Sequence, residues 1–356
     1  MQETIPFFDG HNDTILRLFD PRTDQRDAAK FFRETTEGHI DLPRARAAGM
    51  KGGFWALFAP SPEAGDMANA DLSDLPPAIT PDQADALSVT MRLAAGLLEL
   101  ERRSEGQFRI VRDMRELRSA LESDVYAAIM HIEGAEMIGP DLDELYVLHQ
   151  AGLRSLGPVW SRDNRFASGV PFRFPASPDT GPGLTDAGFR LVRACNELGI
   201  MIDLSHLNEK GFWDVARTTD APLVATHSNA HAIAPSTRNL TDAQLETIRD
   251  SGGVVGLNYA VGFLAADGSR DPGLELEVML RHTDHLLKFL GEDGVALGSD
   301  FDGATIPSAI GDVRGVQTLL QAMLEHGYGR ELVGKIALEN WLQLLERSWE
   351  RSWVSG

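Results

Sequence analysis

Six side chains able to hold a metal ion or carry a proton stand at the ends of short apolar runs. His11 and Asp13 follow TIPFFDG (4–10), Glu133 closes VYAAIMHIE (125–133) and His206 closes GIMIDLSH (199–206). His227 nearly ends APLVATHS (221–228), and Asp300 closes GVALGSD (294–300). Residues of these types placed at random would scatter over strand starts, helices and loops. His11 and Asp13 are two apart, so in an extended segment they point to the same face. Glu133 ends an otherwise apolar segment, where a lone carboxylate is costly to bury and needs an arginine or a metal ion. A histidine ending one strand is more often structural. Two of them on adjacent strands, opposite an HxD pair and a glutamate, reverse that judgement. Three histidines and two carboxylates suit zinc or a similar divalent ion, with Glu133 free to bridge two of them. His131, two residues before Glu133, reads as a hydrogen-bonded interior histidine.

Lysine offers no alternative bridge. The chain has five lysines, Lys30, Lys51, Lys210, Lys288 and Lys335, and none ends an apolar run. In GSDFDG (298–303) the flanking glycines let the backbone approach the site. Asp300 is the candidate general base there, with Asp302, two residues on, as its competitor. Arg238, in PSTRN eleven residues beyond His227, could clamp a substrate carboxylate with paired hydrogen bonds, or be an ordinary surface arginine.

These residues need a scaffold that gathers strand ends. Besides the runs already named, KGGFWALFA (51–59), LRSLGPVW (153–160) and GGVVGLNY (252–259) bring the number to eight. Several are continuous rather than alternating, which suits strands buried on both faces of a parallel sheet. Helical patterns at 81–103, 141–151, 184–198, 208–218, 241–250, 274–290, 313–325 and 330–350 separate or follow them. Thr185 or Asp186, Asn208 and Thr241 are candidate caps. Eight strands alternating with helices, without a break in composition, predict one (β/α)8 TIM barrel over 1–356, with the site at the carboxy-terminal ends of the strands. An open doubly wound sheet is the alternative, but no glycine-rich phosphate turn follows the first strand. The connections 11–50, 60–80 and 161–183 are long, and the last two have the length of lids or binding loops.

The formal charge of −20 argues against nucleic acid and anionic membranes as partners. No apolar run approaches the roughly 18 residues of a membrane span. MQETIPFFDG does not read as a signal peptide. The single cysteine, Cys195, excludes an intrachain disulfide and reads as a packing residue. A cytoplasmic enzyme with a small substrate is the expectation.

With these residues assembled, the chain resembles the membrane (renal) dipeptidase family of binuclear zinc dipeptidases, in a soluble bacterial-type form. DGHND (9–13), HIEG (131–134), IDLSH (202–206), THS (226–228), STRN (236–239) and GSDFDG (298–303) match in the family's order at similar intervals. So do HIDLPRARAAGMKGGFWALF (39–58) and ENWLQLL (339–345). The resemblance implies two zinc ions, one on His11 and Asp13 and one on His206 and His227, with Glu133 bridging. It gives Asp300 the proton, Arg238 the substrate's terminal carboxylate, and a metal-bridging hydroxide the attack on a dipeptide, L,D-dipeptides included. It also allows a homodimer. One departure stands out. Trp160 occupies the place of a family histidine that contacts the substrate carbonyl, with Arg162 and Asn164 as nearby substitutes. Trp160 is therefore expected to shape the substrate pocket. Another amide, lactone or ester hydrolase on the same barrel is the alternative, followed by a non-catalytic metal- or peptide-binding descendant.

Overall fold

The computed structural model describes residues 4–23, 25–62 and 78–349. Nine strands are present among them: β1 (Phe7–Asn12), β2 (Met50–Phe58), β3 (Phe108–Ile110), β4 (Tyr126–Glu133) and β5 (Leu153–Gly157), then β6 (Met201–Ile202), β7 (Val224–Ala225), β8 (Val254–Asn258) and β9 (Val295–Gly298). All pair in parallel, in the orders β1-β2-β4-β5-β6 and β7-β8-β9. Single parallel bridges join the two sheets, Asp203 with Val224 and Asn12 with Phe301. Leu204 N donates to Val224 O (2.8 Å) and Asp13 N to Phe301 O (2.8 Å), so the ring closes as a (β/α)8 barrel. β3 lies outside this ring, on the edge of β4.

Each of the eight apolar runs supplies one ring strand. The unforeseen pieces include β3, three residues long, the helix Met114–Glu122 behind it, capped by Asp113, and the short helices Thr14–Leu18, Ala28–Phe32, Leu42–Ala47 and Val261–Leu264. Thr185, rather than Asp186, caps Asp186–Leu198, Asn208 caps Glu209–Thr218, and Thr241 forms a full capping box with Gln244. The expected helix 330–350 is instead Gly329–Gly334, a π turn over Lys335–Glu339, and Asn340–Trp349; its expected end at Glu350 lies outside the described residues.

Alternation along β4 shows how the strands build a floor beneath a site. Ala128, Met130 and Ile132 face the core between ring and helices. Ala127 and Ile129 face inward, joined there by Phe8, Phe54, Met201, Val224, Val254 and Ala296. His131 and Glu133 continue the inward face of β4 upward. Trp341, from the carboxy-terminal helix, plugs the bottom and donates its indole N–H to Leu297 O (2.9 Å). The interior is thus a packed apolar layer beneath the polar side chains of the barrel mouth.

Loop 161–183 is pinned rather than loose. Val170 N donates to His206 O (2.9 Å), Asn208 N to Ser168 O (3.2 Å) and Ala176 N to Pro235 O (2.8 Å). Most of loop 60–80, the other candidate lid, lies outside the described residues.

Candidate metal centre

β6 and β7 are short because side chains take over from the ladder. Asp203 Oδ1 accepts from Ser205 N (3.1 Å), an Asx-type turn that bends the chain away after Ile202 and swings His206 over the barrel mouth. The same oxygen accepts from Thr226 N (2.8 Å), which sets His227 beside it. His11 sits where the register of β1 on β2 slips between Asp9 and Asn12.

Glu133 is the hub. Its Oε1 lies 2.9 Å from His206 Nε2, 3.5 Å from His227 Nε2 and 3.6 Å from His11 Nε2. His206 and His227 face each other Nε2 to Nε2 at 3.1 Å. Asp13 Oδ2 is 3.5 Å from His11 Nε2. Three sets of donor atoms result among the described residues, Glu133 with His206 and His227, His11 with Asp13 and Asp300, and His11 with Asp203 and His227, the atoms of each lying within 4.8 Å of one another. Asp300, expected as a proton carrier, therefore stands among ligand-type atoms. Gly303 makes room for it, since a Cβ there would overlap Asp13 Oδ2 and Asp300 Oδ1.

The electrostatics call for a cation. Burial drives Glu133 well above the usual carboxylate range and raises Asp13. Burial likewise holds His206 and His227 well below the usual imidazole value, so both present neutral rings. At His11 burial opposes the charge, but Glu133 and Asp13 outweigh it and lift the ring to about 10. Neither ring nitrogen of His11 has a hydrogen-bond partner. Three carboxylates with unprotonated imidazoles and an orphaned ring fit a divalent ion in place of that proton.

The two aspartates of GSDFDG part company. Asp300 Oδ2 accepts from Asn258 Nδ2 (3.1 Å) at the cluster. Asp302 turns to Arg17 Nε (3.1 Å) and His39 N (2.7 Å). Both occupy left-handed backbone, φ 60° and 66°, at the bend that re-aims the chain after β9. Arg238 is buried beside the cluster. Its Nη1 donates to Ser205 O and to Ser228 Oγ (3.3 Å), and its Nη2 to His227 O (3.1 Å). Its buried Nε has no partner. Burial lowers its pKa to about 10, while Asp300 and Glu133 favour the charged form.

Half-buried Trp160 stands beside the cluster, its ring 5.9 Å from His206, 5.0 Å from Phe58 and 5.3 Å from Phe172. Its two proposed substitutes are engaged elsewhere. Arg162 pairs with Glu136 (2.9 Å) and Ala59 O (2.6 Å), and Asn164 holds its own turn through Pro158 O (2.8 Å) and Phe166 N (2.8 Å). His131 hydrogen-bonds Ser155 Oγ (2.8 Å) in the interior. The supports Asp203, Thr226, Ser161 and Asn258 were not among the residues expected at the site. The first was legible as an acid inside the apolar run GIMIDLSH.

The barrel and cluster have known counterparts. The membrane dipeptidase family (peptidase family M19) matches residues 1–351. The chain belongs to the membrane dipeptidase family. It is by that membership a metal-dependent dipeptidase. Among solved structures, a metallopeptidase from Rhodobacter sphaeroides, liganded with a phosphinate mimic of the dipeptide L-Ala-D-Ala, is 54% identical with TM-score 0.93, over 98% of this chain and 100% of that one. A metallopeptidase of family M19 called dipeptidase AC is 54% identical with TM-score 0.92, over 98% and 99%. An uncharacterized protein from the pqqA 5′ region of Klebsiella pneumoniae is 46% identical over 75% of this chain and 98% of its own length. No helix among the described residues is long and apolar enough to cross a membrane, the family's name notwithstanding.

Proposed function

We propose that this chain hydrolyses the peptide bond of dipeptides, L,D-dipeptides included, at a site holding two divalent ions, with zinc the expected metal. The observation that carries the reading is one carboxylate oxygen, Glu133 Oε1, within 3.6 Å of three imidazole Nε2 atoms. In this reading Glu133 bridges, His11 and Asp13 hold one ion, and His206 and His227 hold the other. Divalent ions held there would polarise the scissile carbonyl and make water a nucleophile at neutral pH. Asp300 takes the water's proton and returns it to the leaving amine, with one oxygen fixed by Asn258. Arg238 binds the free carboxylate of the substrate. Three of the five guanidinium N–H bonds serve protein oxygens, which leaves the Nε hydrogen and one on Nη2 for a paired contact. Trp160, with Phe58 and Phe172, bounds the space for a substrate side chain. The dipeptide mimic bound by the Rhodobacter relative supports an L,D-substrate.

The test compares L-Ala-D-Ala with its carboxy-terminal amide. A charged hydrogen bond is worth about 1.5–3 kcal/mol, so losing the paired contact is expected to lower kcat/KM about 100-fold or more. Equal kcat/KM for acid and amide removes the clamp and moves the reading to a broader amide or ester hydrolase.

A further inference from the structure

His227 can serve an ion only through a lone pair on Nε2, so its proton must sit on Nδ1. The surroundings of Nδ1 decide this. Its neighbour is Thr226 Oγ1 at 2.8 Å, and a hydroxyl could donate to that nitrogen or accept from it. Thr226 Oγ1 is also 2.6 Å from Asp203 Oδ2, and its other neighbour, Ser205 Oγ, is farther away at 3.3 Å. A hydroxyl has one hydrogen, and the carboxylate takes it. The remaining lone pair must accept from His227 Nδ1–H. Asp203 itself cannot rotate away. Its other oxygen holds Ser205 N (3.1 Å), Ser205 Oγ (2.6 Å) and Thr226 N (2.8 Å), and all these groups are buried.

We infer that Asp203 and Thr226 form a relay that fixes the tautomer and aim of His227 and thereby sets metal retention. They are positioning residues that act through His227. His206 lacks this device. Its Nδ1 meets Ser161 Oγ (2.7 Å), for which no carboxylate partner is present among the described residues, so Ser161 can donate or accept. The relay rests on the proposed metal site, and it makes His227 the ring whose orientation is determined before an ion arrives.

The test measures metal held by the full-length holoenzyme against increasing concentrations of a chromogenic zinc chelator. Thr226→Val keeps the shape and removes the hydroxyl, and it is expected to release metal at about 10- to 100-fold lower chelator concentration, the usual scale for outer-shell partners. Thr226→Ser is expected to restore retention. Activity of Thr226→Val should fall at limiting zinc and recover with excess zinc. Asp203→Asn should behave as Thr226→Val. Retention by Thr226→Val equal to that of the unmodified chain overturns the relay, as does a loss that Thr226→Ser fails to repair. An unmodified chain that holds no metal overturns the metal reading itself, and the relay with it.

Discussion

Asp300 and Asp302 lie two residues apart at the same bend, yet their surroundings predict opposite consequences for the same substitution. Asparagine is nearly isosteric with aspartate and tolerates left-handed backbone, so neither replacement strains φ 60° or 66°. Asp300→Asn leaves the contact with Asn258 largely in place and removes the group that accepts a proton. A positioned general base contributes about 10²–10⁴-fold, so kcat is expected to fall at least 100-fold, which is about 2.7 kcal/mol of transition-state stabilisation. Asp302→Asn costs stability instead. Its side chain is 2% exposed and accepts from Arg17 Nε and His39 N. The amide keeps one acceptor and turns an NH2 group toward the other donor. The loss is one charge-assisted hydrogen bond and part of a second, about 2–3 kcal/mol. Steady-state kinetics on L-Ala-D-Ala at saturating metal, with denaturant unfolding of both variants, separates the two outcomes. A large kcat loss in Asp302→Asn with Asp300→Asn fully active would refute the assignment, and so would equal kinetic losses in both.

Trp160→His should change the ranking of dipeptides more than turnover on the best one, measured as kcat/KM over a panel of amino-terminal side chains; inactivity on every substrate counts against a pocket role. Gly303→Ala places a methyl group against Asp13 Oδ2 and Asp300 Oδ1 and is expected to lower kcat/KM about 100-fold, the cost of a displacement of roughly 1 Å in a reacting geometry; full activity would show that these carboxylates do not need their present positions. Burial pushes the Cys195 thiol up to about 12, so native protein at pH 8 should not react with a thiol-specific chromogenic disulfide, while denatured protein should release one equivalent per chain; rapid reaction of the native chain contradicts the packing assignment.

The ring was legible because each of its strands is an apolar run buried on both faces, and the ligand-type residues were legible because the runs end in them. What escaped has physical causes. β3 is three residues long and pairs only with the base of β4, too short to leave a periodicity. β6 and β7 shrink to two residues because Asp203 replaces ladder hydrogen bonds with its own side chain, which no pattern of apolar residues records. Thr226 and Ser161 look like ordinary strand and loop residues, and their roles depend on which nitrogen of a histidine they face. Arg17 and His39, which engage Asp302 and leave Asp300 at the cluster, lie more than 250 residues earlier in the chain. Arg238 was legible as a cation after β7, but not as one buried beside the candidate ligands with two terminal nitrogens already on protein oxygens.

Metal content reports on Glu133 as a bridge. Elemental analysis of the purified full-length chain, set beside Glu133→Gln, tests whether one carboxylate joins two ion positions. Two divalent ions per unmodified chain are expected, with loss of both ions, together with activity, in Glu133→Gln. No bound metal in an active unmodified chain, or a fully loaded and active Glu133→Gln, would contradict the bridge.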